Sequence, residues 1–357
     1  MNLHSSKTKS SGALFGVMVF CSLVNAGQAL AQGPLSFYDY CMMTDGPAAQ
    51  RLTIEVMLYK AGYGGPATEE SCAKGQAELL RKKSLNLFLY AFDPQRPKIS
   101  DLKPVASLPH LEELTITENA VEDLRPLEQL PQLRFLNAHR NRISALEPLS
   151  KLPKLRTLML GENKITDIAP LSSLRMLDHL DLAGNQVSEL SGLTQMRFMQ
   201  TLFLGQNQIQ DLRALAGMSR LRYLGVADNQ ISSLDPIRHI NGLTHLDAGS
   251  NQLTDISAVS GMSKMMSLDV QSNAIADLSP LVGLADLFYL NISTNLIDDI
   301  AVLEEKFDLK TLYLEQNQLC GIPTGVADLE QEHLNSSGEL IAMRLHGRDK
   351  QDRSRCP

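Results

Sequence analysis

One residue type recurs at a constant spacing through most of this chain. Asparagine returns every 22 residues for ten copies, at Asn119, Asn141, Asn163, Asn185, Asn207, Asn229, Asn251, Asn273, Asn295 and Asn317. A spacing held over ten copies is typical of a solenoid, in which each copy forms one turn of a coil. Because each turn contacts only its neighbours, this period constrains the fold more strongly than any local propensity.

Leucine and proline follow the same period. The first copy reads Leu111-x-x-Leu114-x-Ile116-x-x-Asn119-x-Val121-x-x-Leu124-x-Pro126-Leu127-x-x-Leu130. The second leucine of this frame is present in every copy: Leu114, Leu136, Leu158, Leu180, Leu202, Leu224, Leu246, Leu268, Leu290 and Leu312. The pattern matches that of leucine-rich repeats. The phrase Asn163-Lys-Ile165-Thr-Asp167-Ile168-Ala-Pro170-Leu171 resembles the 22-residue repeats of bacterial internalins, and the resemblance covers about residues 86–322.

The repeat predicts how each turn folds. Its leucine-rich half forms a short strand whose alternate residues point into a shared core. The return half is too short for a full α-helix and often carries proline, at Pro104, Pro126, Pro148, Pro170, Pro236 and Pro280, which favours 3₁₀ turns. The asparagines are expected to turn inward and form a structural ladder by bonding free backbone groups. The sequence predicts an α/β solenoid: a leucine-rich repeat horseshoe with a parallel concave β-sheet, 3₁₀ turns on the convex side and a helical amino-terminal cap.

The solenoid needs a cap at each end, since an end turn would expose its core. Residues 32–85 lack the repeat and contain helix-like stretches near 51–61 and 68–83, so they are assigned to a helical cap. The solenoid is assigned to residues 86–322, beginning with a degenerate turn in which Pro97 replaces the expected asparagine. Residues 323–357 are assigned to the second cap and a tail.

The first 31 residues have the features of a secretory signal. Lys7 and Lys9 precede an apolar stretch at 13–26, and Ala29-Leu30-Ala31 provides a small-x-small cleavage pattern. Cleavage is expected after Ala31, giving a secreted or periplasmic protein with no integral membrane segment. A retained membrane anchor is the alternative, disfavoured because the apolar run is short for a span. Loss of two lysines with the signal takes the formal charge from −7 to −9, which argues against nucleic-acid binding.

Four cysteines remain after cleavage, two in each flank: Cys41, Cys72, Cys320 and Cys356. An even number in an exported chain favours disulfides. We expect Cys41–Cys72 and Cys320–Cys356, because ten strands would separate the two flanks by about 50 Å. A zinc site is the disfavoured rival, since no Cys-x-x-Cys spacing is present.

The frame also predicts which side chains face outward on the concave sheet. The apolar candidates for partner contact are Phe135, Met159, Phe203, Tyr223, Phe288, Tyr289 and Tyr313, because aromatic residues carry much interface energy. The polar candidates are His179, Asp181, His245, Asp247 and Asp269. The alternatives without a binding role are that aromatic residues occur here because β-strands favour them, and that the polar residues are ordinary solvated side chains. The Asp/His group is also the only candidate for cation binding or acid–base chemistry.

These features predict an exported, monomeric module that binds a protein partner through its concave face, without a cofactor, metal or catalytic site. In internalins this face grips a host protein, but the chain has no sorting signal or wall-binding module, which puts an invasion role in doubt. An envelope scaffold is the alternative function. A cation-dependent enzyme built on the Asp/His group ranks third. The partner is a host protein or a protein of the cell's own envelope.

Overall fold

The computed structural model describes residues 34–88, 97–304 and 309–319, together with the backbone of three short strands beyond them. Three helices come first: α1 (Phe37–Met42), α2 (Ala48–Lys60) and α3 (Glu69–Leu79). The sequence predicted α2 and α3 with slightly different limits and did not predict α1. The helices pack against the first turn of the solenoid and cover its apolar end.

Local capping explains where α1 and α3 begin. Ser36 accepts a hydrogen bond from the Asp39 backbone, while the Asp39 carboxylate accepts one from the Ser36 N–H. Thr68 and Ser71 make the same reciprocal pair at the start of α3. A disulfide between Cys41 in α1 and Cys72 in α3, with Cα atoms 5.7 Å apart, links the two helices. The predicted Cys41–Cys72 bond is therefore confirmed.

A twelve-stranded parallel sheet runs the length of the solenoid. Its strands are β1 (Ser84–Asn86), β2 (Glu113–Thr115), β3 (Phe135–Asn137), β4 (Thr157–Met159), β5 (His179–Asp181), β6 (Thr201–Phe203), β7 (Tyr223–Gly225), β8 (His245–Asp247), β9 (Ser267–Asp269), β10 (Tyr289–Asn291), β11 (Thr311–Tyr313) and β14 (Arg344–His346). From β2 to β11, residues 22 apart are register partners, such as Leu202 and Leu224. Two short strands, β12 (His333–Leu334) and β13 (Leu340–Ile341), pair antiparallel in a separate two-stranded sheet.

Short 3₁₀ turns carry the chain back on the other side of the core, as predicted. They cover Lys103–Ser107, Arg125–Gln129, Glu147–Lys151, Ala169–Ser173, Ser191–Leu193, Arg213–Leu215, Asp235–Ile237, Ser257–Val259, Ser279–Leu281 and Ala301–Leu303. Proline occupies the first helical positions of six turns, where its missing N–H costs nothing. The aspartate of the repeat phrase bonds the first residue of the turn: Asp167 Oδ1, for example, accepts from the Ala169 N–H at 2.8 Å.

The core between sheet and turns is continuous and apolar. In the first repeat every apolar frame position is at most 1% exposed: Leu111, Leu114, Ile116, Val121, Leu124, Leu127 and Leu130. Each such side chain contributes about 1.5–3 kcal/mol by leaving water. Later repeats keep this arrangement with methionine in some places, as at Met196 and Met199. The solenoid fold predicted from the repeat is confirmed.

The asparagines form a hydrogen-bonded ladder along one edge of this core. Asn207 Nδ2 donates to the carbonyl oxygens of Leu182 and Leu204, each at 2.9 Å. Its Oδ1 accepts from the Val187 N–H at 2.9 Å. The same pattern of partners recurs from Asn141 to Asn317. Each amide thus joins its own turn to the preceding one and satisfies backbone groups that the bend leaves unpaired.

The residue before each ladder asparagine has left-handed backbone geometry. In nine repeats it is a non-glycine residue with φ between +52° and +57°: Glu118, Arg140, Glu162, Gln206, Asp228, Ser250, Ser272, Thr294 and Gln316. In the remaining repeat this residue is Gly184, which has no Cβ and so avoids the steric cost of the conformation. The asparagine bonds on the following residue hold the bend in place despite that cost.

Several predicted features lie outside the described residues. These are the signal peptide at 1–31, the whole of the predicted Cys320–Cys356 bond, and most of the segment assigned to the second cap. The strand β14 pairs in parallel with β11, so the sheet continues past the last asparagine repeat. The domain limits and the second disulfide stay predictions.

Candidate functional site: the concave face of the sheet

The concave face is formed by three rows of outward side chains. The first row consists of the first residue of each strand, and the second row of the third residue, since alternate strand residues share a face. The third row lies two positions later, where the chain begins to bend. Phe88 extends this row at the amino end, next to Asn86 of β1. Between β2 and β11 the three rows span ten neighbouring turns and present one open surface.

Two aromatic side chains stand out of this surface near its middle. Phe203 in the second row and Tyr223 in the first row are each 43% exposed. Phe135, Met159, Tyr289 and Tyr313 also lie in these rows but are half-buried. Phe288 was expected on the same face, but it lies one residue before β10, at the flank of the sheet. The exposed aromatic surface is therefore narrower than the sequence indicated and centred on β6 and β7.

Contacts between neighbouring strands orient these rings. Tyr223 stacks on His245 of the next strand, with ring centroids 4.5 Å apart and planes at 23°. The Phe203 ring lies over Gly225, where a Cβ would stand only 3.0 Å from the Phe203 Cδ1 atom. Glycine at 225 thus leaves room for the phenyl ring to lie across the sheet. Tyr289 and Tyr313 form a second, tilted pair with centroids 5.8 Å apart.

Three aspartates of the second row lie among these groups; Asp181 and Asp269 are half-buried and Asp247 is exposed. Burial raises the pKa of Asp181, against the lowering effect of a hydrogen bond from the Ala183 N–H. Burial also raises the pKa of Asp247, and the adjacent Asp269 raises it further. Asp269 has its own pKa raised by burial, although it accepts hydrogen bonds from Asn291 at 2.9 Å and Tyr289 at 3.4 Å. Burial of the Tyr289 phenol, together with the nearby Asp269 charge, raises the pKa of Tyr289 to about 12.

The histidines do not join these aspartates into one group. His179 Nδ1 lies 2.7 Å from Asp178 Oδ1, at the flank of the sheet. His245 Nδ1 lies 2.9 Å from Thr244 Oγ1, and burial lowers the pKa of its imidazole. Across the described residues, no three His, Cys, Asp or Glu side chains converge closely enough to hold a metal ion. His179 and Asp181 thus share a face of the sheet, as do His245 and Asp247, but the histidines bond to other residues.

A polar network that the sequence reading missed lies beside the amino-terminal half of this face. Arg140 donates to Glu162 at 2.9 Å and to Glu118 at 3.2 Å, bridging three turns. His139 Nε2 lies 3.3 Å from the same Glu162. The spacing of 22 between Glu118, Arg140 and Glu162 was visible in the sequence, but their position in the bend beside the concave face was not assigned.

The third row consists of small residues along the middle of the sheet. It reads Gly161, Ala183, Gly205, Ala227 and Gly249 from β4 to β8. Two of these positions are overlaid by acidic neighbours. A Cβ at residue 161 would stand 3.1 Å from Asp181 Oδ2, and one at residue 249 would stand 3.4 Å from Asp269 Oδ1 and 3.5 Å from Asp247 Oδ1. Neighbouring side chains also cover these glycines: His139 Nδ1 lies 2.6 Å from the Cβ position of Gly161, and Gln271 Cγ lies 3.0 Å from that of Gly249. The small residues therefore leave room for side chains of the adjacent turns.

The three rows carry negative charge only. Between β2 and β11 they contain five acidic residues and neither lysine nor arginine: Glu113, Asp181, Asp247, Asp269 and Glu315. Basic residues lie instead at the flanks, as with Arg134 beside Glu112 and Arg156 beside Asp178. This arrangement gives the concave face an electrostatic preference for cationic groups.

Comparison with known proteins agrees with this architecture. A sequence profile described as Leucine Rich repeats (2 copies) matches residues 131–173 and 219–261. An internalin from Listeria monocytogenes shares 28% identity and a TM-score of 0.61, over 76% of this chain and 83% of that one. Internalin C2 from the same species shares 30% identity and a TM-score of 0.52, over 53% of this chain and 83% of that one. A leucine-rich repeat protein of Leptospira interrogans shares the fold at 21% identity and a TM-score of 0.55, over 64% of this chain and 66% of that one. No functionally curated protein matches the sequence.

The fold and the repeats define this chain as a leucine-rich repeat protein. Within that class it belongs to the internalin-like family of bacterial leucine-rich repeat proteins, as its identity to internalin C2 over most of that structure establishes. In the parts of the chain that the structure describes, no helix combines the length and apolar character needed to cross a bilayer.

Proposed function

We propose that this protein is an exported, non-catalytic binding module that holds a protein partner on the concave face of its repeats. The observation that carries this proposal is the pair of exposed rings, Phe203 and Tyr223, at the centre of an open sheet. Exposing a large aromatic side chain to water is unfavourable, and such residues most often anchor protein interfaces. Membership of a leucine-rich repeat family supports the same function, because the concave surface of a solenoid is its extended binding surface.

Export is supported by two features of the chain. The buried Cys41–Cys72 disulfide is of a kind that persists in oxidising compartments. The first 31 residues have a basic start, an apolar stretch and a small-x-small pattern at Ala29 to Ala31. Amino-terminal sequencing of the protein recovered from the periplasm and the medium tests this part. A mature terminus at Gln32 is expected, whereas an intact Met1 on membrane-bound protein would contradict it.

Cross-linking mass spectrometry tests the binding function. The purified protein is incubated with envelope extract of its own cells and, separately, with host-cell extract, then cross-linked and digested. Cross-links from residues flanking the concave face, such as Lys154 and Lys310, are expected to dominate. Cross-links confined to the helical cap, with none near the sheet, would contradict binding through the concave face. The extract that supplies the partner distinguishes a host-directed role from an envelope role.

A further inference from the structure

The charge and spacing of the concave face specify the chemistry of its partner. We propose that it binds an extended polypeptide segment that crosses the strands and carries two basic side chains four residues apart, with an apolar residue midway. This inference rests on the proposed concave-face function and adds the identity of the segment that is bound.

The acidic groups occur at two separate places in the second row. Asp181 lies on β5, and Asp247 lies on β8 with its register partner Asp269 on β9. Within the described residues, none of these three carboxylates forms an ion pair with a lysine or arginine. Asp247 and Asp269 both approach the Cβ position of Gly249, so two like charges lie near one another there, together with the Gln271 Cγ atom at 3.0 Å.

Partial burial makes the Asp181 and Asp269 charges unfavourable without a cation, and the exposed Asp247 lies beside the like charge of Asp269. Burial raises the pKa of all three carboxyl groups, and the raised pKa of Asp247 also reflects its neighbour Asp269. A basic side chain that approaches above Gly249, beside the Gln271 Cγ atom, would contact both carboxylates and remove their mutual repulsion. A second one would contact Asp181 at the surface of the sheet, beside the His139 ring, whose Nδ1 atom lies 2.6 Å from the Cβ position of Gly161.

The spacing of the two places matches an extended chain. Three strand-to-strand steps separate β5 from β8, which corresponds to about 14 Å. An extended segment advances about 3.4 Å per residue, so residues i and i+4 cover this distance and point to the same side. Residue i+2 then lies midway, over the Phe203 ring where it covers Gly225. An apolar side chain at i+2 would pack on that ring and beside Tyr223.

Fluorescence anisotropy with defined peptides tests the proposal. The probe is a labelled twelve-residue peptide with two lysines four apart, leucine midway and serine or glycine elsewhere. One twin has glutamate in place of both lysines, and a second has the lysines three apart. We expect the probe to bind at least about tenfold more tightly than either twin, and to weaken as NaCl rises from about 50 to about 500 mM.

Isosteric variants of the protein assign that binding to the two places. Asp181→Asn and Asp247→Asn should each weaken the probe about three- to tenfold, because each removes one charge contact. Glu189→Gln, an exposed acid next to the 3₁₀ turn at Ser191–Leu193 on the other side, should leave binding unchanged. Equal binding of the glutamate twin, no effect of both Asp variants, or no saturable binding of the probe would each overturn the proposal.

The outcomes also separate this proposal from the function on which it rests. If a cross-linked partner loses affinity on replacement of Phe203 and Tyr223 but ignores the Asp variants and salt, the concave face binds and the basic segment is wrong. If neither set of variants affects the partner, both proposals fail.

Discussion

Asn207 reaches across the repeat boundary to Leu182, with its Nδ2 atom donating to the Leu182 carbonyl oxygen at 2.9 Å. The same amide accepts from the Val187 N–H, so one side chain satisfies backbone groups of two successive turns. Replacing Asn207 with Ala should lower the free energy of unfolding by about 1–3 kcal/mol, because these groups lose their partner away from water. Urea denaturation followed by circular dichroism measures the change.

The neighbouring Gln208 is the matched control for this substitution. Its side chain is exposed, and only its backbone N–H joins the ladder, donating to the Val187 carbonyl. Gln208→Ala should change stability by less than about 0.5 kcal/mol. Equal losses at both positions would mean that the amide ladder does not stabilise the solenoid.

The residue with left-handed backbone geometry in each repeat gives two predictions. Adding a side chain there should lower the stability of the protein, and removing one should raise it. Gly184 has φ +67°, so Gly184→Ala should destabilise the protein by about 1 kcal/mol. Gln206 has φ +55° in the next turn, so Gln206→Gly should stabilise it by up to about 0.5 kcal/mol. Thermal denaturation of the two variants compares them directly, and shifts of the same sign would contradict this account.

The disulfides are tested by peptide mapping without reductant. Cys41 should be found joined to Cys72, as in the structure, and Cys320 joined to Cys356, as the sequence predicts. A Cys41–Cys320 peptide would refute two local links. Because the first bond closes a loop with a sequence separation of 31, Cys41→Ser with Cys72→Ser should cost about 3 kcal/mol. Hydrogen exchange should show that loss in the helical cap before the central repeats.

The carboxylate pair on β8 and β9 predicts a pH dependence of stability. The folded-state pKa of Asp247 lies above its unfolded value, so its contribution is most favourable at acid pH and is lost as pH rises through the folded pKa. Asp247→Asn should therefore stabilise the protein at pH 7 by about 0.5 kcal/mol, a small value because this side chain is exposed. The gain should vanish near pH 4 in urea denaturation. A gain independent of pH would rule out charge as its source.

The repeat made most of the fold predictable because every turn of the solenoid is a copy of the same structural unit. The leucine positions, the proline-bearing turns and the asparagine spacing all follow from a 22-residue period, and the structure places them in register. The six-residue helix α1 could not be read in the same way. It is held by the Ser36 cap and the Cys41–Cys72 bond, and its sequence has no periodic pattern long enough to recognise.

The sequence predicted which residues face outward on the concave sheet, but it did not predict how exposed each side chain is or which neighbours it contacts. The period assigned Phe203, Tyr223 and Asp247 to the outward face, yet it gave the same status to Phe135 and Met159, which are half-buried. Exposure depends on side-chain directions in the adjacent turn, as where the Phe203 ring covers Gly225. Asp247 and Asp269 were predicted to face outward, but their joint approach to Gly249 was not predicted, because it depends on a small residue two positions beyond the strand.

The most direct test of the account is the affinity of the cross-linked partner for the double variant Phe203→Ala, Tyr223→Ala. Neither side chain is part of the core, so replacing both should leave the melting temperature nearly unchanged. Binding should weaken by about 2 kcal/mol, or roughly thirtyfold, because the two central anchors are lost. Arg213→Ala, on the far side with an 85% exposed side chain, should bind as the parent does. Normal binding by the double variant, with loss of binding after a substitution on the far side or in the cap, would contradict recognition through the concave face.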